Sequence, residues 1–416
     1  MAKIKKIWAL EILDSRGVPT IRTVIESEDG LISSSSVPSG SSTGKAEALE
    51  LRDFDERFFG KGVEKAVLNI NQIIAPKLKG KDAGKQEEID DFLQKLDGTP
   101  QKSNLGANAL LSVSLACSKL EAQSQKIPLY RYLNQAFFGD IKPNIPTPFS
   151  VVIEGGKHSS SNLDIQEFII VPTEISKFPE KIRALSEIYE TLGNILEKRN
   201  YNSNVGLEGA YGPTLETNTE AMDLILEAIK QVGYSDKVKL ALDVAASELY
   251  HPEDGGSYYL KSEEISLKRQ QLLGLYSEWV SRYPIISIED GLEQDDWDGW
   301  VEMTERLSKS IMVIGDDLFV TNPERLQKGI ELKAANATII KPNQIGTLSE
   351  TIEAIKLAKD ASWEYIISHR SGETCDTFIA DLAAASGANF IKAGAPSRGE
   401  RVEKYNRLLE INEEIK

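Results

Sequence analysis

Apolar positions change their period along this chain. Residues 19–27 (PTIRTVIES) and 30–37 (GLISSSSV) flank Asp29-Gly30, which predicts a β-hairpin. Helical periodicity follows near 64–79, 86–96 and 105–124; the last of these is apolar on most faces and predicts a buried helix. A stretch rich in Pro and Gly, KPNIPTPFSVVIEGGKH, then marks a domain boundary at about 135–145. Further on, short β-type runs at 238–244, 283–290, 311–317, 337–341, 364–370 and 389–394 alternate with amphipathic helical runs at 262–281, 297–308, 323–330, 347–359, 373–387 and 399–413. Repeated strand–helix units imply a parallel sheet, and a series this long favours closure into a β/α barrel. Between 145 and 235 no clean alternation is legible.

The residues that close the strands carry the chemistry. Asp243, Glu289, Asp316, Lys341, His369 and Lys392 each stand at or near the C-terminal end of a predicted strand, at spacings of 46, 27, 25, 28 and 23 residues. In a β/α barrel these ends converge on one mouth. Three carboxylates meeting there repel one another, and a hard divalent cation relieves the repulsion; oxygen-only ligands favour Mg²⁺ over zinc. Lys341, beside such a cation and near Lys392, would have its ammonium form disfavoured and could serve as a base. This set suits proton abstraction next to a carboxylate. His369-Arg370-Ser371 suits a phosphate, since Arg offers a planar fork. Two Gly-rich loops add less. VPSGSSTGK (37–45) fails the phosphate-loop spacing and reads as a turn, and NVGLEGAYGP (204–213) holds one acid, Glu208, between glycines.

Composition narrows the class. Of 416 residues, 48 are Lys or Arg and 64 are Asp or Glu, a net charge of −16, which argues against a nucleic-acid or anionic-membrane binder. Two cysteines, Cys117 and Cys375, allow no disulfide framework, and both read as small buried hydrophobes. No apolar run is long enough for a membrane span, and the start predicts no signal peptide, so a cytoplasmic protein is expected. Asp317 reads as a supporting group, His251 as a surface loop residue, and Trp297 and Trp300 as core or interface.

Taken together, EILDSRGVPT (11–20), VPSGSSTGKAEALELRD (37–53), DIQEFIIVP (164–172), SIEDGLEQDDWDGW (287–300), GDDLFVTNP (315–323), IIKPNQIGT (339–347), SHRSGET (368–374) and FIKAGAPSRGE (390–400) resemble the enolases, and the resemblance runs end to end. It implies an N-terminal α+β capping domain over 1–135 and a C-terminal catalytic barrel over 140–416, with two strands and two helices before the regular βα units. It implies two Mg²⁺ per active site, the first on Asp243, Glu289 and Asp316, the second joined by Ser42 on a closing loop. Lys341 would take the C2 proton of 2-phosphoglycerate. Glu208 would protonate the departing C3 hydroxyl, supported by Glu167, with His158 on a mobile loop. Lys392 would meet the substrate carboxylate, Arg370 and Ser371 the phosphoryl group, and His369 and Asp316 would complete the substrate site. A homodimer or octamer is implied.

The chain departs from that family's usual pattern at four places. Leu207 stands where an acid precedes the catalytic Glu, Ser159-Ser160 replace Ala-Gly, Val18 replaces Asn, and Pro342 follows the base lysine. Two alternatives follow: a paralogue acting on another phosphorylated or phosphonate hydroxy acid, and a non-catalytic binding protein on the same scaffold.

Overall fold

The computed structural model describes residues 2–41 and 44–416. β1 (Ile4–Leu13), β2 (Pro19–Ser27) and β3 (Ile32–Ser36) form an antiparallel meander. The expected hairpin pairs Val24 with Ser34. β1 was not legible in the sequence. Its register shifts between Ile4 and Lys6, which leaves Lys5 and Lys6 both exposed and breaks the two-residue alternation. The helix Ala107–Gln125 packs on β2 and β3. Its small polar residues make that close contact without orphaned groups, as in the 2.7 Å bond between Thr23 and Ser112 hydroxyls.

Nine further residues, 138–146, carry no helix or strand. The barrel then begins with β4 (Thr147–Glu154), β5 (Glu167–Val171) and β6 (Lys239–Asp243). A side sheet of β7 (Tyr250–His251), β8 (Ser257–Leu260) and β9 (Ile265–Lys268) follows. β10 (Ile285–Glu289), β11 (Met312–Gly315), β12 (Ala337–Ile340), β13 (Glu364–Ser368) and β14 (Phe390–Lys392) complete a closed eight-stranded barrel in the order β10-β11-β12-β13-β14-β4-β5-β6. β5 runs antiparallel to both neighbours, and the helices Phe178–Lys198 and Asn218–Gln231 both precede β6. That order is why the sequence between 145 and 235 shows no alternation.

Two helix starts move. The run expected at 262–281 begins at Arg269, because 265–268 pairs as β9 with β8. The run expected at 373–387 begins at Phe378. Before it, Asp376 accepts from Ser36 N at 2.9 Å and pairs with Lys119, tying the loop to the first sheet.

Inside the barrel Phe149, Val151, Ile169, Ile314, Ile339 and Ile366 fill the axis. A second, larger apolar cluster includes Trp300 between the barrel strands and their outer helices and extends to Cys117 on the helix that covers the N-terminal sheet. Cys375, expected to be buried, is exposed, since it lies in the turn ahead of Phe378. Among the described residues, no helix is long and apolar enough to cross a membrane.

Candidate active site

Strand register builds a row of acids. Glu154 of β4 lies opposite Glu167 of β5, Glu167 opposite Asp243 of β6, and Asp243 opposite Glu289 of β10. Across the barrel, Lys392 ends β14 beside Ser368. Its buried ammonium reaches Glu167 Oε2 at 2.8 Å, Glu289 Oε2 at 2.9 Å and Asp243 Oδ2 at 3.1 Å. Burial opposes its charge, but the three carboxylates outweigh that, and Lys392 is held well above the ordinary lysine range. Burial pushes Asp243 up and Glu289 well up, the latter aided by the charge of Asp243.

Lys341 follows β12 and pairs with Asp316 Oδ2; Gln344 Nε2 donates to the other oxygen at 2.9 Å. The expectation for Lys341 concerns a lysine beside a bound cation; facing Asp316 without one, its balance runs the other way. Burial lowers the Lys341 pKa, but the Asp316 carboxylate outweighs it and the net shift is upward. The ammonium is therefore favoured for as long as Asp316 faces it alone. Pro342, one of the departures, opens the short helix Pro342–Ile345, where no backbone N–H is needed.

Opposite Lys341 is an imidazole–carboxylate group. His158 Nδ1 is 3.3 Å from Glu167 Oε1 and 3.6 Å from Glu208 Oε1, and His369 Nε2 is 3.0 Å from Glu208 Oε2. Arg401 Nη1 donates to His369 Nδ1 at 2.6 Å, which assigns the ring proton to Nε2. Burial pushes His369 down, against the pull of Glu208. Burial would raise Glu208, but His369, His158 and Arg401 hold it well below the usual range. Glu167 shifts the same way: burial and Glu208 raise it, and Lys392 and His158 win. For His158 burial lowers, and Glu208 and Glu167 raise it overall.

The phosphate-suited segment lies at the same mouth. Arg370 Nη1 donates to Glu47 Oε2 at 3.0 Å and to Asn343 Oδ1 at 3.1 Å. Ser371 Oγ accepts from Ser41 N at 2.8 Å, and Ser39 N donates to Gly372 O at 2.8 Å. Residues 37–41 and 44–47 thus lie over the mouth, and Ser42, assigned to a second cation, lies outside the described residues. His158, Glu167, Glu208, Asp243, Lys341, His369, Arg370, Ser371 and Lys392 line one narrow cavity with about 20 Å³ of free room. Glu289 and Asp316 stand at its base, bonded to Lys392 and Lys341.

Asp243, Glu289 and Asp316 suit a hard divalent cation. Their donors are carboxylate oxygens only, all buried, and two of the three are pushed toward neutrality where no further cation faces them. Among the described residues Asp317 pairs with no lysine; its N–H donates to Asp290 Oδ2 at 2.9 Å, and Asp316 N donates to Asp290 Oδ1 at 2.9 Å. Asp290 was missed in the sequence, although it directly follows Glu289. Its φ of +45° turns the chain so that its carboxylate caps the next strand's end. Glu154 was missed too. It closes SVVIE as Asp243 closes KLALD, so the signal was present one strand earlier. Glu47 and Arg401 gave no sequence signal. His251 is exposed and pairs with Glu253. Trp300 is core, and Trp297 stacks under Lys328.

Two family descriptions match the chain. The N-terminal domain of enolase matches residues 4–133, and the C-terminal TIM barrel domain of enolase matches residues 142–416. This chain belongs to the enolase family. It is 48% identical to the enolase of Helicobacter pylori over 419 aligned positions, covering all of this chain and 97% of that protein. Members of the enolase family are lyases, which suits a cavity with an amine on one side and a carboxyl on the other.

Proposed function

We propose that this chain is a phosphopyruvate hydratase, a hydro-lyase of glycolysis and gluconeogenesis that interconverts 2-phosphoglycerate and phosphoenolpyruvate with Mg²⁺. The observation that carries the reading is the opposition of Lys341 and Glu208 across one cavity, with the row of carboxylates and Lys392 between them. Residues 1–135 act as the capping domain and 140–416 as the catalytic barrel.

Lys341 Nζ takes the C2 proton, and the C–H electron pair moves into the adjacent carboxylate. The Lys392 ammonium faces the charge that develops there. The electrons then return to form the C2–C3 double bond while the C3–O bond breaks. Glu208 gives its proton to the departing oxygen, which leaves as water, and Glu167 and His158 hold Glu208 in place. Arg370 and Ser371 hold the phosphoryl group through fork and hydroxyl donors. Asp243, Glu289 and Asp316 would hold the first Mg²⁺, and Ser42 would join the second; when bound, Mg²⁺ would supply positive charge for the substrate carboxylate. Asp316, once engaged as a ligand, would no longer favour the Lys341 ammonium. The working form is a cytoplasmic homodimer or an octamer.

The test is direct. Purified protein with 2-phosphoglycerate and Mg²⁺ is expected to form phosphoenolpyruvate, and Lys341→Ala to lose at least about a thousandfold in kcat, the upper range for a general base. Absence of product at high enzyme concentration sinks the reading.

A further inference from the structure

Glu154 has no part in the chemistry above, yet it is fully enclosed. Its Oε1 accepts from two backbone N–H groups of a single turn, Glu208 at 3.0 Å and Ala210 at 2.8 Å. Its own N–H donates to the Tyr211 carbonyl at 2.8 Å. Residue 154 therefore grips the turn that carries Glu208 through both side chain and main chain. From the helix Phe178–Lys198, Tyr189 completes the grip with a 2.6 Å bond to the Gly209 carbonyl. The second oxygen, Oε2, is buried with no hydrogen-bond partner among the described residues. It faces the space beside Gly206, where a Cβ would lie 2.3 Å from it. An enclosed carboxyl with an unpartnered oxygen is costly, and a purely structural grip needs only one accepting oxygen.

The turn itself lacks an acid next to Glu208. Leu207 stands there and contributes main-chain bonds, from its N–H to His158 O at 2.9 Å and to its carbonyl from Arg401 at 3.1 Å. We infer that Glu154 is a positioning residue for the acid step: from β4 it fixes the Glu208 turn and supplies the buried acidic neighbour that the turn lacks at 207. The inference rests on the dehydration reading above.

The charged and titratable groups facing Glu154 are Glu208 on the turn, His158 on the loop after β4, Glu167 on β5 and Tyr189 on the outer helix. Burial, then the charge of Glu208, pushes Glu154 up to about 8. Two buried carboxyls that repel each other retain one proton between them. At rest the shared proton sits on Glu154 and the charge on Glu208, which His369, His158 and Arg401 hold down; for the acid step the proton passes to Glu208 and the charge to Glu154, and Glu208 gives that proton to the C3 oxygen as the C3–O bond breaks. Glu154 touches no substrate atom.

Glu154→Gln tests the idea, because the amide oxygen can still accept from both N–H groups while no proton is left to share with Glu208. With 2-phosphoglycerate and Mg²⁺, kcat is expected to fall about tenfold, with KM within twofold, as one pKa unit of lost support for the Glu208 proton. The alkaline limb of the kcat profile moves to lower pH by about one unit. Exchange of the C2 hydrogen with deuterated solvent, which uses Lys341 and not Glu208, is expected to stay at the wild-type rate. Glu154→Asp, which withdraws the carboxyl from both N–H groups, also loses kcat and spares exchange. Unchanged kcat and pH profile in Glu154→Gln, or equal loss of exchange and turnover in both variants, overturns the inference. Lack of turnover by the wild-type protein would instead overturn the dehydration reading itself.

Discussion

At the scale of single residues, burial decides what each charge can do. The acids facing the cavity are all enclosed, yet they shift in opposite directions according to what faces them. Glu208 and Glu167 look onto imidazole or lysine and are pulled down, while Glu154 and Glu289 look chiefly onto other acids and are pushed up. Glu154 gives the clearest pH signature. Its native pKa, about 8, lies above its ordinary value of 4.5. Between these values the native state keeps a proton that the unfolded chain releases. Its contribution is therefore fully present below about pH 4.5 and is lost as pH rises through about 8. The difference in melting temperature between Glu154→Gln and wild type is expected to be smallest near pH 4.5 and to grow in favour of the variant toward pH 8. Calorimetry across that window checks it, and a flat difference contradicts the assignment.

At the scale of elements, residues 39–41 and Glu47 are held to the barrel mouth by exchangeable bonds. Ser39 and Gly372 share a β-bridge, Ser41 meets Ser371, and Glu47 occupies the Arg370 fork. A phosphoryl group that takes that fork competes with Glu47. Glu47→Gln removes the competing charge, so inorganic phosphate is expected to bind about tenfold more tightly, ~1.4 kcal/mol, measured by titration calorimetry. Equal affinity would show that phosphate does not use this fork. Element ends also explain the limits of the sequence reading. The regular βα units were legible because each strand is a short apolar run closed by a charged residue. β1 and β9 were not: a register shift disrupts one, and the other is mostly exposed and merges into the start of a helix. Hydrophobic pattern reports burial, and neither strand has a continuous buried face.

At the scale of the whole molecule, the charge of −16 and the anionic substrate are reconciled by where the acids sit. Asp243, Glu289 and Asp316 face inward, where two lysines already meet them. A cation that binds only the native barrel stabilises it by mass action, about 2.7 kcal/mol at a hundredfold excess over its Kd. Mg²⁺ is thus expected to raise the melting temperature and EDTA to remove both the increment and the activity. No increment would argue against a carboxylate-held metal. The N-terminal domain also leaves aromatic surface uncovered. Phe59 is 99% exposed, and Phe54 and Leu13 are exposed near the Glu11–Arg57 ion pair. That surface supports the homodimer reading. Sedimentation is expected to show a dimer, and Phe59→Glu to shift it toward monomer; an unshifted Phe59→Glu dimer would locate the interface elsewhere.

The sequence by itself determined the barrel class, the family resemblance and the residues that end the strands, because each is written in local period and local motif. It could not determine the order of charge among them. Whether Lys341 is an ammonium depends on Asp316 meeting it from another strand, 25 positions away. The cover over the mouth is likewise a long-range event, with Glu47 reaching Arg370 across 323 positions. Glu154 was one acid among 64 Asp and Glu in the sequence. Only closure of the barrel set it against Glu208, and only burial made that proximity matter, since the same two carboxyls in water would scarcely interact.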